Sequence, residues 1–385
     1  MYCGQEYKNL SRPGPIALFA LWYNQTVKKL GIVLNLYQPI TQEERKLREI
    51  SDVSYLPITK IIKNRKEFRP TLNIPLGLLQ QMNFPDLKGF LEEERLELVG
   101  SAAYNAALTD LPEILATNQI VLNEYGLGYF FGRRSGFEGE SAVLVKDLKG
   151  FYPPKFAYDK AVFDLVGDLG YSWILADPNS TSGKFGVFKL GESDCHIVAF
   201  NSILTEKILN KTNLVIDDIA AEIQASEDCV LVFDAEFFGY KNKDGIYLLN
   251  KLLDKLVQLN IEIVPVSEFV EEEIDESRVG KLEMLTESLY KPSEIGLWEL
   301  NQTFVKVLEK YLSELPKLEV EGMENIAVWE PDLPREVRLT ILSAQICDST
   351  QFENMELKAS FLSLYSELAE LLSDSTLMEL VKNQH

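Results

Sequence analysis

The apolar run Cys229–Phe233 ends in Asp234-Ala-Glu236-Phe-Phe-Gly239-Tyr240, which sets two carboxylates immediately after a strand-like segment. Carboxyl groups in such a place can donate protons, accept them or attack carbon, or they can simply face solvent as an acidic strand end. Similar residues follow the other strand-like runs. Asn35-Leu-Tyr37-Gln38-Pro39 follows the first, and Glu97-Leu-Val-Gly100-Ser101, then Tyr104-Asn105, marks the third. Gly150-Phe-Tyr-Pro-Pro-Lys155-Phe-Ala-Tyr-Asp159 precedes a helix, Asp177 ends the Trp173 run, and Asn201 ends the next. Glu97 is a lone charge between leucines and needs a partner, which makes it a candidate for the interior or the site.

Composition narrows the chemistry. The 385 residues contain two histidines, His196 and His385, so mechanisms built on a histidine cluster are excluded and no metal or cofactor is expected. Four scattered cysteines, Cys3, Cys195, Cys229 and Cys347, form no CxxC pair and fit a reducing, cytoplasmic setting. A formal charge of −21 repels phosphate backbones and anionic lipid, which argues against nucleic acid and membrane partners. The apolar stretch 15–23 is too short to span a bilayer, and residues 1–27 read as an extension ahead of the first strand.

The elements that must position these residues are legible as alternating runs. Strands are expected at Leu30–Leu36, Thr71–Ile74, Leu96–Gly100, Ser172–Ala176, Ile197–Phe200, Cys229–Phe233 and Ile261–Val266. Most are nearly continuous apolar runs, as parallel strands covered on both faces should be. Helices are expected at 78–94, 111–124, 158–169 and 246–260; the last carries Leu248, Leu249, Leu252, Leu253 and Leu256 on one stripe. The alternation without a Gly-rich phosphate fingerprint predicts an α/β fold, an incomplete (β/α)7-type TIM-like barrel over 28–270. An acidic boundary at 271–280 follows, and beyond it only helical patterns (298–315, 333–346, 353–372, 377–381), predicting an α-helical C-terminal bundle over 281–385.

In this order, the strand-end segments resemble the N-terminal catalytic barrel of glycoside hydrolase family 57, over roughly Lys29 to Pro265. Leu342-Ser-Ala-Gln345-Ile-Cys-Asp348 looks like the family's helical Ala-Gln-x-Ser-Asp-Trp segment. The resemblance implies cleavage or transfer of α-glucans with retention, which needs two carboxyl groups about 5 Å apart. It sets the acid/base on Asp234 and the nucleophile on the residue after Pro153-Pro154, which here is Lys155. A protonated amine is no nucleophile, its cation opposes an oxocarbenium-like transition state, and it would draw Asp234 into an ion pair.

Other positions depart too: Asn35 and Asn105 stand for histidines, Asn201 for an arginine, Tyr240 for a histidine and Ser349 for the tail tryptophan. Asn35, Gln38, Glu97, Asn201, Glu236, Tyr240 and Asp348 are the substrate-binding positions the resemblance implies. Tyr37, Tyr104, Phe151, Tyr152, Tyr158, Phe237, Phe238 and Tyr240 could stack on sugar rings or belong to the core. The leading expectation is a catalytically impaired or inactive relative binding an oligosaccharide, an α-glucan or a partner protein. The alternative is an active α-glucan hydrolase or 4-α-glucanotransferase with a noncanonical nucleophile, for which Glu138 or Glu140 could supply a displaced carboxylate. A metal-dependent polysaccharide deacetylase wants an early Asp-Asp pair and His-x-x-x-His, and neither is present.

Overall fold

The computed structural model describes residues 28–82, 84–93, 95–131, 148–210, 216–227, 229–273, 279–282, 285–286, 290–291, 296–314, 335–348 and 357–384. The expected extension at 1–27, Glu138, Glu140 and Ser349 lie outside these residues.

The first strand, β1 (Lys28–Asn35), buries Leu30, Ile32, Val33 and Leu34 and organises everything around it. Along the chain follow β2 (Thr71–Asn73), β3 (Glu97–Leu98), β4 (Gly150–Phe151), β5 (Trp173–Ala176), β6 (Gly186–Leu190), β7 (His196–Ala199), β8 (Cys229–Asp234), β9 (Ile261–Val264) and β10 (Gly280–Leu282). One edge of β1 pairs in parallel with β8 from Leu30 to Asn35, while β9 and β2 share the other edge. From β2 the parallel pairing passes to β3. A bridge between Gly100 and Phe151 carries it to β4, with Gly100 N–H to Gly150 O at 2.9 Å and Tyr152 N–H to Gly100 O at 2.8 Å. The ring continues through β5 to β7. It closes on β8 through Asn201 N–H to Val230 O at 2.8 Å.

The protein is therefore a seven-stranded (β/α)7-type barrel with a narrow seam between β7 and β8, as the alternating pattern predicts. The other strands decorate that ring: β6 runs antiparallel to β7, and β10 adds to β6. β10, at 280–282, starts at the end of the acidic stretch, so among the described residues a short strand joins the sheet before the tail helices begin.

Helices cover the outside. Gly245–Gln258 buries Leu249, Leu252, Leu253 and Leu256 of the expected stripe, each contributing about 1.5–3 kcal/mol by leaving water, while Leu248 is half-buried. The helix expected at 78–94 is instead two, Leu76–Leu79 and Pro85–Glu92, the second opening on its proline. Glu113–Phe131 buries residues all round, which follows from its place between barrel and tail. The tail helices Gly296–Glu314, Arg335–Gln345, Lys358–Leu372 and Ser375–Lys382 pack around Phe304, Phe361 and Tyr365, whose rings meet edge-on at 4.7 and 5.0 Å. No helix among the described residues is long and apolar enough to cross a membrane.

Candidate functional site

Parallel register brings the C-terminal ends of three strands to one level: Asn35 of β1 stands opposite Asn73 of β2 and Asp234 of β8. Their side chains are chained together. Asn73 Nδ2 donates to Asn35 Oδ1 at 2.9 Å, and Asn35 Nδ2 donates to Asp234 Oδ1 at 3.0 Å. Asn73 is buried and gave no sign of a role in the sequence.

Above these residues opens a cleft of about 470 Å³, lined by residues from the β1, β4 and β8 loops, with Asn105 from the loop after β3. Asp234, Glu236, Lys155, Asn35, Gln38 and Tyr240, all candidates from sequence, share it. Gln38 is buried and donates to Glu236 Oε2 at 2.9 Å and to the Tyr55 hydroxyl at 3.1 Å. Tyr55 comes from a π-helical turn, Ser51–Tyr55, whose Ser54 hydroxyl donates to Ala235 O at 2.6 Å and pins the base of the β8 loop.

Lys241 is the cation the sequence reading missed. It bonds to Glu236 Oε1 and lies 3.6 Å from Asp234 Oδ2. Burial works against its charge, but the hydrogen bond and field of Glu236, with those of Asp234, outweigh it and raise the ammonium above its ordinary value. The loop can return Lys241 to the carboxylates because Gly239 adopts φ 114. A Cβ there would lie 1.9 Å from Val53 O, so only glycine fits. The Gly239 turn was the available signal.

Both oxygens of Asp234 thus face donors: Asn35 Nδ2 at Oδ1 and Lys241 Nζ at Oδ2. A carboxylic acid that protonates a leaving group must carry its proton on one of those oxygens.

Lys155 reaches the cleft from a short 3₁₀ turn, Pro154–Phe156, in which Lys155 and Phe156 take φ of 56 and 50. Two successive left-handed residues cost about 1–2 kcal/mol each when neither is glycine. Buried Tyr152 and its neighbours hold that turn in place: the Phe156 ring lies 5.4 Å from Tyr152 and 4.8 Å from Phe200, and Ser101 Oγ donates to Tyr152 O at 2.8 Å. Of the aromatic candidates, Tyr37, Tyr152 and Tyr240 line the cleft, joined by Phe156. Tyr104, Phe151, Tyr158, Phe237 and Phe238 are core residues.

Three expected site residues belong elsewhere. Glu97 does not line the cleft: it stands at the start of β3 in register with Thr71, where it accepts from Thr71 Oγ1 at 2.9 Å and from Ser267 N–H and Oγ. Burial raises its pKa, and these hydrogen bonds oppose the rise. Its partner is this internal network rather than a ligand. Asn201 is buried at the barrel seam, and its Oδ1 accepts from Leu204 N–H at 3.0 Å, capping helix Ser202–Asn210. Asp348 is buried in the tail and accepts from the Tyr37 hydroxyl, so it positions a cleft residue without lining the cleft. Gln119 Nε2, donating to Ala344 O at 2.8 Å, fixes that tail segment to the barrel side. Among the described residues no three His, Cys, Asp or Glu side chains cluster to hold a metal.

Residues 32–284 match the model of glycosyl hydrolase family 57, and the chain belongs to that family. Its fold is similar to that of a GH57-type branching enzyme from Pyrococcus horikoshii (TM-score 0.68, 12% identity, covering 93% of this chain and 94% of that one). It is similar also to a GH57 branching enzyme from Thermococcus kodakaraensis, solved with glucose (TM-score 0.65, 13% identity, 93% and 94% coverage). An α-amylase from Thermotoga maritima aligns with TM-score 0.62 at 13% identity, over 93% of this chain and 96% of that one. No curated protein matches the chain by sequence.

Proposed function

We propose that this family-57 chain binds an α-glucan oligosaccharide in its barrel cleft without cleaving or transferring it. The observation that carries the reading is Lys155 in the cleft, at the position the family resemblance assigns to the nucleophile, alongside Asp234. Retention needs a carboxylate there to form a glycosyl ester, and an ammonium has no lone pair to offer. The donors facing both Asp234 oxygens favour the same reading, since they suit a carboxylate that accepts hydrogen bonds. The solved relatives include branching enzymes and an amylase, which supports α-glucan as the ligand class. For a glucan the cleft offers Tyr37, Tyr152 and Tyr240 as ring faces, and Gln42 and Asn105 as amide partners.

One observation favours a second reading. Glu236 lies in the same cleft, and Lys241 bridges it to Asp234, so two carboxylates do stand close together. In that reading Glu236 is the nucleophile and the protein is a slow hydrolase or transferase. Assay of maltooligosaccharides and soluble starch with the wild type, Lys155→Glu and Glu236→Gln separates the two. The binding reading expects an inert wild type and an inert Glu236→Gln, with turnover at most in Lys155→Glu. Wild-type turnover abolished by Glu236→Gln would establish the second reading instead.

A further inference from the structure

Tyr37 is held at both ends. Its carbonyl accepts from the hydroxyl of buried Tyr55 at 3.3 Å, and its own hydroxyl donates to Oδ2 of Asp348 in the tail. The backbone that follows is tied as well, because Gln81 Nε2 donates to Gln38 O at 3.2 Å and to Pro39 O at 3.1 Å. Between these anchors the half-buried Tyr37 ring forms part of the cleft wall. With its proton directed to Asp348, the hydroxyl has none to give a sugar, which leaves the ring face as the surface it offers.

Asp348 is fully buried just past the helix Arg335–Gln345. A carboxyl group taken out of water costs stability unless hydrogen bonds satisfy it, so its place there calls for a reason beyond filling space. The same tail segment reaches a second wall of the cleft. The Tyr104 hydroxyl donates to Gln80 Oε1 at 3.0 Å and hydrogen-bonds Gln345, and Tyr104 adjoins the cleft residue Asn105.

We infer that Asp348 is a positioning residue for the glucan: it fixes the Tyr37 ring in the orientation a sugar meets, so the tail completes the binding site of the barrel. This rests on the carbohydrate reading above and adds to it the residue that orients the ring. A ring held in place before the ligand arrives gives up little freedom on binding. By linkage, a glucan seated on Tyr37 tightens the tail segment in return.

Titration calorimetry of the full chain with maltoheptaose tests the inference. Tyr37→Phe keeps the ring and removes only the hydroxyl, yet it should bind about tenfold more weakly, as should Asp348→Leu. The double variant should bind no more weakly than either alone, because both remove the same bond. Asp348→Asn keeps an acceptor oxygen and should stay within about threefold of the wild type. Arg338→Gln, which removes a tail ion pair to Glu367, should keep wild-type affinity. In hydrogen exchange, maltoheptaose should slow the amides of Ile346, Cys347 and Asp348 in the wild type but not in Tyr37→Phe. Should Asp348→Leu fail to fold, Tyr37→Phe and the exchange pattern decide the matter. Wild-type affinity in Tyr37→Phe, or losses that multiply in the double variant, would overturn the inference and leave the carbohydrate reading standing. A wild type that does not bind maltoheptaose would overturn both.

Discussion

Replacing Glu124 with glutamine should make stability less dependent on pH between about 4.5 and about 7. Glu124 lies within the helix Glu113–Phe131, is buried, and accepts from the Tyr171 hydroxyl at 2.6 Å. Burial pushes its carboxyl up to about 7 from an ordinary 4.5, against the opposing effect of the Tyr171 hydrogen bond. The folded protein therefore holds a proton over this interval that the unfolded chain releases, so stability falls as pH rises through it. The gap between 4.5 and about 7, at about 1.4 kcal/mol per pKa unit, sets an upper bound of ~3.5 kcal/mol on that loss.

The pair also bears on the cleft. A Cβ at Gly100 would meet the Tyr171 hydroxyl at 2.1 Å, and the Tyr171 ring packs edge-on against Phe151 at 5.2 Å. Tyr171, the hydrogen-bond partner of Glu124, therefore packs directly against the junction of β3 and β4, two residues before Pro153. Denaturant unfolding at pH 5 and pH 8 measures the effect. The wild type should lose stability relative to Glu124→Gln by about 2–3 kcal/mol between the two. Identical pH profiles for the two proteins would refute the burial argument.

Gly239→Ala should destabilise the fold by roughly 3 kcal/mol, because it combines a strained φ with a collision against Val53 O. Thermal unfolding reads this directly, and a wild-type melting temperature would contradict it. Lys241→Gln should cost about 0.5–1 kcal/mol at neutral pH, discounted because the lysine is half exposed. Its folded pKa is raised above 10.5, so the stabilisation is complete below 10.5 and fades as pH climbs through the folded value. The difference between wild type and variant should close there, and a constant gap across that range would count against the ion-pair account.

Much of the barrel could be read from the chain because its strands are apolar on both faces. Runs such as Leu30–Leu34 and Cys229–Phe233 have no other physical home than a covered parallel sheet. The strands that escaped lack that signal. Gly150–Phe151 is two residues long, while Gly186–Leu190 is antiparallel, partly exposed and carries Lys189. Glu97 was correctly marked as needing a partner. Sequence could not say that the partners are Thr71 and Ser267, below the strand ends that floor the cleft. Asn201 likewise marked the end of a strand, but its side chain serves the helix that follows. The cation beside Asp234 was expected at Lys155; Lys241 takes a place there through the turn at Gly239, a tertiary event with no local periodicity.

The central claim is binding without turnover, and proton NMR of maltoheptaose with the wild-type protein tests it in one sample. Saturation transferred from protein to sugar, with anomeric signals unchanged over several days, is the predicted result. New reducing-end or rearranged anomeric signals that grow with time and vanish in Asp234→Asn would contradict it.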